Sequence, residues 1–243
     1  MIRALLASIS FVLATILGSI LALVFGTFDR TGDAVLWLAR LWSRVILGVP
    51  GVRVEVSSRA PLVPGRPYVF VANHASMVDI WAVFLAVPAS FRFIAKKQLS
   101  FIPLFGWAMR AGRFIFIDRQ NAVAARRSID VAAQRIRGGQ SVVIFPEGTR
   151  TRDGRLAPFK KGGFRLAIDS GVDIVPIAIK GSRALMPRGA ALIRAGTVRV
   201  EIGEPIPAGG LTVEDRNKLI DHVHARVAEM LGEGTSAKPG VAR

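Results

Sequence analysis

The chain of 243 residues carries 33 lysines and arginines against 17 aspartates and glutamates, a formal net charge of +16, and 51% of its residues are hydrophobic. The positive charge points to anionic partners (phospholipid headgroups, phosphorylated substrates or nucleic acid), and the high apolar fraction argues for a membrane contribution. The absence of cysteine excludes disulfides, thiolate zinc sites and a cysteine nucleophile, and His222 and His224 lie too far from His74 in sequence to suggest a metal site.

Residues Ala4 to Phe28 carry no charge and are mostly aliphatic. At about 1.5 Å per residue this run could cross a hydrocarbon core of about 30 Å. It is too long for the apolar region of a signal peptide, and no Ala-x-Ala site follows it. After the polar turn Asp29 to Asp33, Ala34 to Leu47 reads as an amphipathic helix bearing Trp37, Trp42, Arg40 and Arg44, a composition suited to a membrane interface. Residues 1–49 are therefore expected to form a membrane-associated helical hairpin, either crossing the bilayer or lying in one leaflet. Arg3 and Arg30 flank the apolar run on both sides and leave its orientation open.

Pro50-Gly51 marks the start of a main domain over residues 50–231, followed by a small, polar tail over 232–243 that is expected to be disordered. Val52 to Val56 alternates like a strand. Tyr68 to Ala72 is an apolar strand that runs into Asn73-His74, and an apolar helical pattern continues to Val87. Phe91 to Ala95 and Gly112 to Arg119 read as strands, separated by the apolar segment Phe101 to Met109. Asn121 caps a basic helix closed by Gly138-Gly139. Ser141 to Phe145 has the wholly apolar character of a strand buried on both faces. Lys160 to Gly163 opens a further helix, Ile174 to Ile179 is a strand containing Pro176, and Val198 to Ile202 is another strand. Thr212 and Asp215 resemble a capping box for a last helix reaching about Leu231. Strands alternating with helices imply an α/β sandwich with a largely parallel or mixed sheet.

In such a sheet the carboxyl ends of the strands share one crevice. Three of those ends carry polar groups here: Asn73-His74-Asp79, Asp118-Arg119 and Glu147-Gly148-Thr149-Arg150. His74 and Asp79, with four residues between them, can form a general base and the carboxylate that orients it. On an unbroken helix they would point about 140° apart, so a loop must bring them together. Arginine binds phosphate through paired, charge-assisted hydrogen bonds, and Gly148 allows close backbone approach, so this crevice suits an anion. Between Glu147 and Arg165, six basic residues stand against two acidic ones, and Lys160 and Lys161 can be headgroup contacts or a solvated face.

Asn73-His-Ala-Ser-Met-Val-Asp79 resembles the Asn-His-x-Ser-x-x-Asp block of the 1-acylglycerol-3-phosphate acyltransferases. Gly112 to Arg119 is similar to their second block, Phe145-Pro-Glu-Gly-Thr-Arg150 to their third and Val175-Pro176 to their fourth, over about residues 50 to 205. The resemblance implies the glycerolipid acyltransferase fold, with His74 and Asp79 as the catalytic pair. It also implies that Arg119, Glu147, Gly148, Thr149 and Arg150 hold the acceptor, with Asn73, Lys160 and Lys161 as further contacts. The implied donor is an acyl thioester of coenzyme A or acyl carrier protein, with no cofactor or metal. The implied acceptor is a lysophospholipid at a membrane, at the cytoplasmic face of a bacterial inner membrane. Acyl carrier protein and membrane lipid would be partners, and nucleic acid would not. Ala75 and Met77 stand where the family often has aromatic or amide residues, and the wider family also acylates lyso-ornithine lipids. A non-catalytic basic module binding membrane or nucleic acid is the alternative from a different class. It has a single tyrosine and no recognisable nucleic-acid motif to support it.

Overall fold

A computed structural model describes residues 2–118 and 121–233. Seven strands form one sheet: β1 (Val52–Ser58), β2 (Val69–Ala72), β3 (Phe91–Lys96), β4 (Ile115–Ile117), β5 (Ser141–Ile144), β6 (Ile174–Lys180) and β7 (Gly196–Ile202), in the order β1-β7-β6-β2-β5-β3-β4. All neighbours run parallel except β6 and β7, so the sheet is mixed but mostly parallel, as the alternation of strands and helices predicts. β2 lies at its centre, and all four of its side chains are fully buried. Side chains alternate across a strand. Phe70 and Ala72 therefore enter the core on one face of the sheet, while Val69 and Val71 enter the core on the other.

The helices complete these two layers. On the Phe70 face lie α2 (Asp33–Gly48) and α3 (Val78–Ala86), with Trp81, Val83 and Phe84 packed inward. On the Val69 face lie α5 (Ala122–Arg137), α6 (Lys161–Ser170) and α8 (Arg216–Leu231). Asn121 caps α5 by accepting a hydrogen bond from the Ala124 N–H at 2.9 Å. A side chain on Gly163 would collide with Ile144 on β5, so glycine there lets α6 sit close on the sheet.

Pro176 is unusual in a strand with a neighbour on both sides, because it cannot donate to the ladder. It lies just past the end of the β6–β7 pairing, where its carbonyl accepts the Gly203 N–H at 2.8 Å. A Cβ on Gly203 would come within 2.8 Å of the Pro176 ring, so the glycine makes room for the proline. The strand expected from Gly112 is shorter than its apolar pattern. Arg113 takes a positive φ of 58°, the Phe114 N–H bonds back to the Met109 carbonyl, and pairing begins only at Ile115. At the last helix, the Thr212 N–H and hydroxyl both donate to Asp215, and Asp215 itself makes no side-chain cap bond to α8.

The apolar run forms α1 (Ile2–Phe28), which turns at Asp29 and meets α2. α1 also packs on α4 (Phe105–Ala111), where Gly26 abuts Ala111. Two arginines tie this pair of helices to the body. Arg40 of α2, read from the sequence as an interface cation, turns inward and donates to the carbonyls of Phe84, Val87 and Ala89 at the end of α3. Arg92 of β3 has no exposed surface and donates to the Thr31 carbonyl at 2.7 Å, Asp33 at 3.0 Å and the Phe91 carbonyl at 2.7 Å. Breaking a buried charge-assisted set costs about 3 kcal/mol, the low end because Asp33 can regain water. Arg92→Met should therefore lower unfolding stability by about that amount and speed proteolysis near residues 28–33. A wild-type denaturant midpoint would mean that apolar contacts alone hold the helix pair.

Candidate active site

Because β2, β3, β5 and β6 run parallel, the loops after them gather at one edge of the sheet. The β2–α3 loop bends so that Asp79, in the first turn of α3, folds back on His74, with Nδ1 2.9 Å from Asp79 Oδ2. The same oxygen accepts the N–H groups of Ala75 and Ser76, each at 2.7 Å. Asp79 is fully buried, and His74 is mostly so. A carboxylate at Nδ1 favours the proton on that nitrogen, and in the neutral ring this leaves the Nε2 lone pair free, the arrangement required of a base. The Phe145 ring stacks on the imidazole at 4.1 Å and 19°, and Phe93 stacks behind Phe145 at 5.7 Å. The ring is thus held by its carboxylate and by its face.

Glu147 is buried in the β5–α6 loop. Its Oε1 accepts the His74 N–H at 2.6 Å and its Oε2 the Ala157 N–H at 3.1 Å. Burial away from water pushes its pKa up to about 7, the two N–H donors oppose this, and the negative charges of Asp79 and Glu233 add to it. The Thr151 N–H returns to the His74 carbonyl at 2.9 Å. Asn73 spans β2 and β6 like a strand residue, its amide both giving to the Ile179 carbonyl and accepting the Ile179 N–H. Ser76 donates its hydroxyl to the Met186 carbonyl at 2.7 Å, which occupies it as a hydrogen-bond partner.

A cavity of about 460 Å³, within the ordinary range for ligand pockets, opens beside His74. Its walls are largely apolar, from Trp42, Trp81, Phe84, Phe105 and Met109. One side is a strip of small residues on α1, Thr15, Gly18, Ser19 and Ala22, and the Trp42 ring N–H donates to the Thr15 hydroxyl at 3.1 Å. Its polar end is formed by Gly148, Thr149 and Arg150, with Lys96 and Arg188. Gly148 sits at φ 77°, and the side chain of Lys160 comes within 3.0 Å of the space a Cβ would fill. The N–H groups of Gly148 and Thr151 are used within the fold, on the Phe145 and His74 carbonyls.

Of the residues singled out in the sequence, His74, Gly148, Thr149 and Arg150 line this cavity, with Asp79 directly behind His74. Asn73 and Glu147 lie behind the wall, committed to backbone groups, and Lys160 and Lys161 stand outside the lining. Arg119 lies outside the described residues. Lys96 and Arg188 were not singled out as site residues, although each follows or ends a strand whose carboxyl end joins the crevice. Among the described residues, no group of histidine and carboxylate side chains could hold a metal ion.

The raised pKa of Glu147 makes a sign-definite prediction. Below its ordinary value of 4.5 the group is protonated in both folded and unfolded chains. As pH rises through 7 the unfolded chain has already ionised, so stability present at low pH is lost. Relative to Glu147→Gln, wild-type unfolding free energy should fall by about 3 kcal/mol between pH 4.5 and 7.5. A pH-independent difference in denaturant titrations would show that this carboxyl ionises as it does in water.

The acyltransferase family model matches residues 53–180. The chain is 35% identical over 193 residues to a chloroplastic 1-acyl-sn-glycerol-3-phosphate acyltransferase of Brassica napus, covering 77% of this chain and 56% of that one. It is 37% identical over 175 residues to the beta 1-acyl-sn-glycerol-3-phosphate acyltransferase of Homo sapiens, covering 72% of this chain and 63% of that one. The match thus spans about three fifths of the length of these curated relatives. A crystal structure of the 1-acyl-sn-glycerophosphate acyltransferase PlsC from Thermotoga maritima superposes with a TM-score of 0.80 at 27% identity, covering 98% of this chain and 99% of that one. A histidine and its carboxylate beside an apolar cavity, on this sheet and within that matched span, go together with one assignment: the chain belongs to the acyltransferase family and is similar to its 1-acyl-sn-glycerol-3-phosphate acyltransferases.

Proposed function

We propose that the protein moves a fatty acyl group from a thioester of coenzyme A or acyl carrier protein to the sn-2 hydroxyl of 1-acyl-sn-glycerol-3-phosphate, giving phosphatidic acid. The observation that carries this reading is the join between an apolar cavity of about 460 Å³ and a cationic mouth, with His74 at the boundary. An acyl chain fits the first and a phosphorylated headgroup the second. The two reacting groups, thioester carbonyl and hydroxyl, belong where they meet. His74 and Asp79 are the catalytic residues, and Gly148, Thr149 and Arg150, with Arg119, hold the acceptor. Lys160 lies near enough to the Gly148 turn to add charge, with Lys161 one residue on. Glu147 and Asn73 act here as positioning residues, because their polar atoms hold the loop that carries His74.

In the reaction, His74 Nε2 takes the proton of the acceptor hydroxyl as its oxygen bonds to the thioester carbonyl carbon. The tetrahedral adduct then breaks its C–S bond, and the departing sulfur takes the proton back from His74. Asp79 balances the imidazolium in between. Transfer is direct, since the chain has no cysteine and the Ser76 hydroxyl is engaged with Met186.

The acceptor arrives from a membrane. Ser8–Phe28 is long and apolar enough to cross one, and its outward face, with Leu13, Leu17 and Phe28, is exposed. The opposite face is occupied along much of its length: Phe11 meets Trp81, Thr15 meets Trp42, and Gly26 meets Ala111. A helix so held against the catalytic body fits better along one leaflet than across two. Residues 1–49 are accordingly read as a one-leaflet anchor for the domain that follows.

His74→Ala should lower turnover at least about 100-fold while the chain still folds. Wild-type turnover in that variant would remove the base. Arg150→Ala should raise KM for the phosphorylated acceptor more than KM for the thioester. A panel of lysophosphatidate and lyso-ornithine lipid with both thioester carriers tests the acceptor, and acylation confined to the ornithine lipid would refute it.

A further inference from the structure

Met186-Pro187-Arg188-Gly189 forms a turn between α7 (Ser182–Leu185) and β7, outside every block of the family resemblance. Arg188 is exposed and lines the cationic mouth together with Gly148, Thr149 and Arg150. Its guanidinium comes within 3.5 Å of the Arg150 carbonyl, so it stands against the same turn. Among the described residues no carboxylate pairs with Arg150 or Arg188. Both cations line the same pocket mouth, and an anion bound there is attracted by each. The turn is also fastened. Pro187 restricts its backbone, the Ala190 N–H closes it on the Pro187 carbonyl at 3.0 Å, and the buried Ser76 hydroxyl holds the Met186 carbonyl at 2.7 Å. Ser76 belongs to the loop whose N–H groups bind Asp79. One residue therefore ties the base's carboxylate to the turn that carries Arg188.

We propose that Arg188 is a further headgroup-binding residue of the acceptor site, and that Ser76 is the positioning residue that sets its distance from His74. This inference rests on the acyl transfer proposed above and adds a selectivity to it. A phosphate monoester carries about −1.5 to −2 charge and three acceptor oxygens, enough to engage Arg150 and Arg188 at once. A phosphodiester headgroup offers less charge, and a headgroup ending in an ammonium is repelled. The site therefore selects a terminal phosphate, and a lysolipid bearing an amine or a glycerol beyond the phosphate binds more weakly.

The test uses the full chain in mixed micelles, with 1-acyl-sn-glycerol-3-phosphate and its glycerol phosphodiester as alternative acceptors. Because Arg188 is on the surface, Arg188→Ala should fold normally. Its KM for the monoester should rise about tenfold, with KM for the thioester unchanged, and its preference for monoester over diester should shrink. Arg188→Lys should recover part of both effects, since charge returns without the paired geometry. Ser76→Ala should raise the same KM, but add little in the Arg188→Ala background, because both act on one contact. A wild-type enzyme inactive on the monoester with either thioester would refute the acyl-transfer reading and this inference with it. An active wild type whose acceptor KM and monoester preference survive Arg188→Ala would refute the role of Arg188 alone. Equal effects of Ser76→Ala in both backgrounds would refute the tether.

Discussion

A carboxylate with no exposed surface has to be met by hydrogen-bond donors, and Asp79 is met by three on a single oxygen. An ionised carboxyl stripped of water costs several kcal/mol unless such donors replace the lost hydration. Two of the donors are consecutive backbone N–H groups, which can point at one atom only if the chain turns tightly between β2 and α3. The third is the imidazole. The need to satisfy one buried carboxylate therefore shapes the loop, and the shape of the loop aims the His74 ring. The geometry that the proposed reaction requires and the local folding are two views of the same interaction.

The loop would be a poor platform if that were all. It is braced by contacts that are short in space and long in sequence. Asn73 reaches β6, Glu147 reaches back to the His74 N–H, Thr151 bonds the His74 carbonyl, and Ser76 reaches Met186. Each removes a freedom that a strand-to-helix turn would otherwise keep, and together they make the polar rim one unit. Across the cavity the wall is mostly apolar, and apolar packing tolerates chains of differing length better than directional bonds do. In the proposed reaction that division of labour is useful: the headgroup is registered by hydrogen bonds and the acyl chain by volume.

Much of this could be read from residue order. Four apolar residues running into Asn73-His74 marked a buried strand, and Asp79 was near enough to return only if a loop intervened, as it does. The directions of Asn73 and Glu147 were not legible, because each is decided by partners 106 and 73 residues away. A polar side chain beside a reactive one looks like a ligand contact until the backbone group it satisfies is known. The antiparallel pairing of β6 with β7 left no periodic signal either, although Pro176 and Gly203 register the special packing where it ends. The small residues of α1 are a different case. Thr15, Gly18, Ser19 and Ala22 follow the spacing of one helical face, yet an apolar run of that length is read first as a membrane segment, and its inward face goes unnoticed.

That inward face changes what the first two helices do. Were they an anchor only, the catalytic layer would be complete without them and joined by a tether. Instead α1 and α2 supply one side of the cavity, and the turn between them is gripped by the buried Arg92 while Arg40 closes the end of α3. Arg92 belongs to β3, the strand that also places Phe93 behind the Phe145–His74 stack. The position of the helix pair is thus referred to the strand that supports the His74 ring. In the proposed reaction, a helix pair with an apolar outer face and an inner face that lines the cavity gives an acyl chain a path to His74 that avoids water, at the cost of making the fold of the site depend on residues that look dispensable to it.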